Sequence, residues 1–334
     1  MNRIYKKRSW LNYAIVVFLL HVIGIALLLI NAHQYPQIFG MALLVYTLGL
    51  RHAFDADHIA AIDNTVRKLV QQKKDPTGVG FFFSMGHSSV VFIMAVITTF
   101  AMSWAEVNIP AIKDVGSVIG ASVSGAFLVL IGILNLYIWV DIYRIFIDMR
   151  RGKFNEDHLD KLLLSRGFIS RFGGKLYKFI NKSWHVYPLG FLFGLGFDTA
   201  SEVTLLAISA NAATQSIPPS LIISLPIIFA AGMSLMDTAD GIFMTTAYNW
   251  AFSTPLRKIY YNLSVTGISV VVALFIGIIE LTQIIAPKLG LNSGIWAWIT
   301  GLNLANIGYL LVALFVVLWA ASYVIWKTLH LESA

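Results

Sequence analysis

Arg51-His52-Ala53-Phe54-Asp55-Ala56-Asp57-His58 sets two histidines, two aspartates and an arginine inside an apolar run of membrane-spanning length. Ionisable side chains at bilayer depth cost at least ~2.5 kcal/mol each on the mildest scale, so they are kept there mainly for a purpose. The chemistry of this chain therefore lies within the membrane.

The rest of the sequence supplies that membrane setting. Of 334 residues, 57% are apolar and only 12% charged, the mean hydropathy is +0.74, and apolar stretches long enough to span a bilayer recur. This is the pattern of an all-α polytopic membrane protein; a soluble domain carries about twice as much charge. The first stretch, Leu11 to Ile30, follows Arg3, Lys6, Lys7 and Arg8 and so imitates a secretory signal. Its apolar core is longer than a signal's, and no small-x-small cleavage site follows, so we read it as a retained first helix. Cysteine is absent, which removes disulfides and thiolate ligation together.

Eight spans are expected, at roughly 11–31, 38–65, 79–104, 115–141, 186–211, 219–249, 262–286 and 297–326, forming one transmembrane domain over 1–334. Positive charge orients them. Of 24 Lys and Arg, 21 fall on one side: four before span 1, Arg67, Lys68, Lys73 and Lys74 after span 2, ten in the 142–185 connection, Arg257, Lys258 and Lys327. Only Lys113 and Lys288 fall opposite, and Arg51 lies within the membrane. That asymmetry places both termini in the cytoplasm and makes the net charge of +7 a topology signal, not a mark of nucleic-acid binding.

The 142–185 connection between spans 4 and 5 is the one sizeable soluble segment, a basic cytoplasmic loop. Within it Asn155-Glu156-Asp157-His158 opens a short capped helix, and Phe168, Ile169, Phe172, Leu176, Phe179 and Ile180 interleave with Arg166, Arg171, Lys175, Lys178 and Lys182. This is the pattern of an amphipathic helix lying on the lipid bilayer.

Seven carboxylates and three histidines come from four spans: His52, Asp55, Asp57, His58 and Asp63 in span 2, His87 in span 3, Asp198 and Glu202 in span 5, and Asp237 and Asp240 in span 6. On an ideal helix at about 100° per residue, His52, Asp55, His58 and Asp63 share one face, with Arg51 at its edge. Asp57 points elsewhere: it either orients a histidine as an acceptor or, if the helix unwinds locally, joins the ligands directly. Asp198 with Glu202 and Asp237 with Asp240 are spaced so that each pair can face one cavity. Arg51 alone cannot neutralise seven acids, so some are protonated, paired with imidazolium, or facing a cation. Imidazole with carboxylate and no sulfur suits a first-row divalent ion such as nickel, cobalt or zinc; magnesium and calcium prefer oxygen alone.

Four segments together resemble the signatures of the nickel/cobalt transporter family: Arg51-His52-Ala53-Phe54-Asp55-Ala56-Asp57-His58-Ile59, Phe83-Ser84-Met85-Gly86-His87-Ser88-Ser89-Val90-Val91, Leu195-Gly196-Phe197-Asp198-Thr199-Ala200-Ser201-Glu202 and Gly232-Met233-Ser234-Leu235-Met236-Asp237-Thr238-Ala239-Asp240-Gly241. They occur in the family's order across nearly the whole chain, and the departures are slight, such as Ser89 where threonine is common. The resemblance implies a secondary transporter importing Ni²⁺, Co²⁺ or both across the cytoplasmic (inner) membrane. It places His52, Asp57 and His58 at the family's metal positions, supported by His87 and the carboxylates of spans 5 and 6. It implies a transported ion as substrate, no cofactor and no enzymatic reaction.

Isolated polar residues read differently. His21, Asn135, Glu280, Asn303 and Asn306 are expected to be interhelical hydrogen-bonding groups, and Met85, Met233, Met236 and Met244 gap-fillers. Gly49-Leu50 followed by Phe54-Asp55 echoes Gly194-Leu195 followed by Phe197-Asp198; with span 2 running inward and span 5 outward, this is the mark of an inverted repeat with a site at its interface. Two alternatives fit the sequence less well. A metal exporter of related type would carry a histidine-rich cytoplasmic loop, whereas this one holds only His158 and His185. A membrane metalloenzyme would want more placed histidines, and neither H-E-x-x-H nor a nucleophile beside a base occurs; the Walker motif of ATP hydrolysis is absent too.

Overall fold

The fold turns on a polar helix buried at its centre. The structure is a computed structural model and describes residues 9–100, 102–150, 180–196, 200–215, 217–251, 262–302, 304 and 307–328. Every described element is helical: α1 (Ser9–Asn31), α2 (Gln37–His52), α3 (Ala56–Gln71), α4 (Val79–Phe100), α5 (Met102–Arg150), α6 (Tyr187–Gly194), α7 (Ala200–Thr214), α8 (Pro219–Ala251), α9 (Gly267–Lys288), α10 (Ile295–Thr300) and α11 (Ile307–Thr328). Among the described residues five helices are long and apolar enough to cross a membrane, within α1, α4, α5, α8 and α9. The first of them, α1, lies along α8 and turns Phe18, Leu29 and Ile30 outward, the apolar face that lipid covers.

The second expected span is two helices. The first, α2, ends at His52 through tight bonds, Phe54 N–H to Arg51 O and Asp55 N–H to His52 O, both 2.9 Å, which close the last turn where an α-helix leaves carbonyls unsatisfied. Asp55 is extended (φ −65°, ψ 142°) at the position before α3, a residue type that favours a fresh helix start. Asp57 sits in the first turn, where a carboxylate suits the positive end of the helix dipole, and its Oδ1 accepts the His58 backbone N–H at 2.9 Å. An ideal-helix projection cannot see such a break, because the spacing of apolar residues continues through it.

α3 then runs beyond the expected boundary at 65 to Gln71, with fourteen of its sixteen residues buried. Arg67 and Lys68, expected in a cytoplasmic loop, lie inside it, Arg67 fully buried and Lys68 at 3% exposure. Arg67 stays there because Asp63, one turn back, receives its guanidinium at 3.0 Å. The fifth span is likewise interrupted, α6 ending at Gly194 and α7 starting at Ala200. The connection expected after span 3 is instead helical: α5 runs unbroken from Met102 to Arg150, about 73 Å at 1.5 Å per residue, and only its portion Ile112–Arg144 is apolar enough to span. The amphipathic helix expected in the 142–185 connection lies, up to residue 179, outside the described residues.

The helices meet through small residues and hydroxyls, as membrane helices do. Neighbours across α8 are α1, α2, α3 and α4, while α5 pairs with α9. Ser84 of α4 donates to Ser234 of α8 at 3.1 Å. The isolated polar residues behave as expected: Asn135 Nδ2 donates to Asn64 at 2.7 Å, Ser124 to Glu280 at 2.6 Å, and His21 Nε2 meets the Tyr46 hydroxyl at 3.2 Å. Met233 and Met244 are core residues. Asn303 and Asn306 lie outside the described residues.

Candidate metal site

The helix break delivers the site. Because α2 stops at His52 and α3 restarts at Ala56, the imidazoles of His52 and His58 face each other across the turn, their ring centroids 4.8 Å apart. His87, midway along α4, closes the triangle at 4.7 Å from His52 and 4.8 Å from His58. One ring nitrogen from each lies within 4.8 Å of the other two, and all three residues are buried. Phe83 packs edge-on against His58 at 4.8 Å and Phe229 lies tilted at 42° against His52 at 5.7 Å, so apolar rings wall the cluster.

Carboxylates surround the triangle from two helices and the break itself. Asp55 Oδ2 lies 3.0 Å from His52 Nδ1. Glu202, in the first turn of α7, places Oε1 2.8 Å from His87 Nε2 and 3.9 Å from His52 Nε2. Asp237, midway along α8, brings Oδ2 to 3.4 Å from His58 Nδ1. Both nitrogens of His58 and both carboxylate oxygens of Asp237 lack a hydrogen-bond partner among the described residues, although both side chains are at most 1% exposed. Buried polar atoms left unpaired cost about 1–3 kcal/mol each, and their retention here points to a ligand.

His52 Nε2 and His87 Nε2 stand 2.9 Å apart. Two imidazoles bound to one metal through bonds of about 2.1 Å at right angles would have their nitrogens ~3.0 Å apart, so the pair already has the separation of adjacent ligands. Three imidazoles with carboxylates at hand and no thiolate suit a divalent transition metal over magnesium or calcium. The carboxylates also supply the negative charge that a desolvated divalent cation needs.

Not every expected residue enters the cluster. Asp57 is bonded to its own helix start. Asp240, one turn beyond Asp237, buries an unpartnered Oδ2 and interacts electrostatically with Asp63. Asp63, expected on the histidine face, leaves it: its oxygens receive Arg67 at 3.0 Å and the Tyr248 hydroxyl at 2.5 Å. Asp198 lies outside the described residues. Sequence reasoning missed the network of Asp63, Asn64, Arg67, Asn135 and Tyr248, which links α3, α5 and α8. A signal for it existed: Arg67 follows Asp63 by four residues, and Tyr248 follows Asp237 by eleven, three turns along one face of α8.

A helical membrane protein with a buried cluster of histidines and carboxylates is the build of a transition-metal carrier. A family model described as high-affinity nickel-transport protein matches residues 38–325. The chain is 57% identical over 327 residues to the nickel transporter NixA of Staphylococcus aureus, covering 98% of this chain and 97% of that protein. It is 50% identical over 331 residues to the high-affinity nickel-transport protein NixA of Helicobacter pylori strain J99, covering 96% and 97%, and 38% identical over 314 residues to the cobalt transport protein NhlF of Rhodococcus rhodochrous, covering 92% and 89%. No solved structure matches. The chain belongs to the high-affinity nickel-transport protein family, a family of transporters and not of enzymes.

Proposed function

We propose that this protein imports Ni²⁺, with Co²⁺ as the related cargo, across the cytoplasmic membrane, and that His52, His58 and His87 hold the ion at the midpoint of its path. The observation that carries this reading is the buried imidazole triangle, with nitrogens within 4.8 Å of one another and an unpartnered Asp237 carboxylate beside it. Asp55 and Glu202 set the charge and orientation of the imidazoles, since a carboxylate on a ligating histidine raises its basicity. Asp57 fixes the start of α3, and Asp198, Asp237 and Asp240 lead the cation to or from the triangle.

Eight spans with both termini in the cytoplasm fit this role. We count the five long helices, the interrupted pairs α2/α3 and α6/α7, and α11 as those eight. Two interrupted helices at corresponding places in the two halves support the inverted-repeat reading. The membrane potential alone suffices as energy source: ~2.3 kcal/mol per charge per 100 mV gives a divalent ion about 4.6 kcal/mol, roughly a thousand-fold accumulation. The test is radiometal uptake into cells expressing the chain, with nickel, cobalt, zinc and manganese in competition. Nickel uptake suppressed by cobalt supports the reading, and net metal efflux overturns it.

A further inference from the structure

We propose that Gly308 of α11, together with Gly116 and Gly120 of α5, are positioning residues of the transport site: each seats one of the two helix breaks that adjoin the helices of the site. The proposal rests on the reading of His52, His58 and His87 as the metal site, and concerns residues far from it in sequence.

Gly308 is buried at the start of α11. A Cβ there would run into the Phe54 carbonyl oxygen and would meet the Phe54 carbonyl carbon at 2.6 Å and the Ala56 nitrogen at 3.2 Å. These are the backbone atoms of the break between α2 and α3, and backbone cannot rotate out of the way as a side chain can. The next residue reinforces the contact: the Tyr309 ring stacks on Phe54 at 4.9 Å and 20°. The first turn of α11 therefore presses, through Gly308, onto the turn that separates His52 from His58. At the other break Gly116 faces the Leu195 carbonyl oxygen, and a Cβ on Gly120 would meet the Gly196 Cα at 2.6 Å and the Phe193 carbonyl oxygen at 3.1 Å. The next described helix, α7, carries Glu202 in its first turn, the carboxylate on His87.

Only a residue without a Cβ permits these approaches. An added methyl must push the 53–56 turn away from α11, and that turn sets both the gap between two imidazoles and the Asp55 contact to His52. The glycines touch no ligand atom; they act through the backbone that aims the ligands, and support of this kind changes metal affinity by about 10–100-fold.

The experiment uses the full-length protein in detergent, with Ni²⁺ titrated calorimetrically and the visible absorption of bound Co²⁺ as a probe of ligand geometry. Gly308→Ala should raise the Ni²⁺ Kd about tenfold or more and alter the Co²⁺ band. Gly125→Ala is the comparison, because its Cβ would crowd Leu281 and the Gly277 carbonyl between α5 and α9, away from both breaks; it should lower the melting temperature and leave Kd and spectrum unchanged. Should Gly308→Ala fail to fold, Tyr309→Leu removes the stacked ring without a clash and should weaken binding by a few-fold. Wild-type Kd and spectrum in folded Gly308→Ala or, failing that, in Tyr309→Leu overturn the proposal, as does equal weakening by Gly125→Ala. His58→Ala, titrated in the same series, separates the two levels: tight binding there removes the metal-site reading and this proposal with it, whereas tight binding in Gly308→Ala alone removes only the proposal.

Discussion

His58 and Asp237 meet at 3.4 Å from two different helices, and neither has a hydrogen-bond partner for its remaining polar atoms among the described residues. A buried imidazole and a buried carboxylate left this bare are poor structural glue. Their arrangement becomes favourable when a cation is shared between them.

Replacing His58 therefore separates stability from function. His58→Leu removes two unsatisfied buried nitrogens at similar volume, so the metal-free protein should hold its melting temperature or gain about 1 kcal/mol. Metal uptake should nevertheless fall by at least about a hundredfold. Thermal unfolding and uptake measured at matched expression check both halves; a large loss of stability would make His58 a structural residue.

Asp237→Asn and Glu202→Gln keep the size of each side chain and delete one negative charge beside the imidazoles. Uptake velocity should drop by about tenfold or more, because a carboxylate that neutralises the cation is lost while the histidines remain. Initial rates over a range of nickel concentrations read this directly, and unchanged rates in both variants would assign these carboxylates to packing.

The Asp63–Arg67 pair, by contrast, is expected to matter for the fold. Breaking a buried pair from one side strands a charge, so Arg67→Met should destabilise by about 3–5 kcal/mol, and Asp63→Leu combined with Arg67→Met should recover much of that loss. A double-mutant cycle in thermal or denaturant unfolding gives the coupling. Additive effects would show that the two charges do not depend on each other.

Acidity should weaken binding in a defined direction. A protonated imidazole cannot bind metal, so affinity is full above the ordinary histidine range near ~6.5 and falls as pH drops through it. Half-saturating nickel measured from pH 5 to 8 should rise toward the acid end; a flat profile would argue against imidazole ligation.

Much of the site was legible in the sequence because ionisable residues in apolar surroundings announce themselves. The structure brings His52, His58 and His87 together, and Glu202 and Asp237, two of the carboxylates expected from other helices, reach them. The spacing 52, 55, 58 gives one helix face, and the broken helix keeps these residues close through a different local geometry. Asp63 shows where the shortcut fails, since beyond the break the helix carries it to Arg67 and Tyr248. α3 was hard to place because its residues are too polar for a hydropathy criterion, and only its neighbours make it a core element. Gly308 carried no signal: a glycine in an apolar run reveals a close approach only when the opposing backbone is known.

The most direct test of the central claim is nickel uptake into liposomes containing the purified protein, driven by an imposed interior-negative voltage, for wild type and for His58→Leu. The histidine triangle as the cation's binding point predicts voltage-dependent entry in the wild type, inhibition by Co²⁺ but not by Mg²⁺ or Ca²⁺, and loss of entry in the variant. Voltage-driven uptake by His58→Leu at the wild-type rate would contradict it.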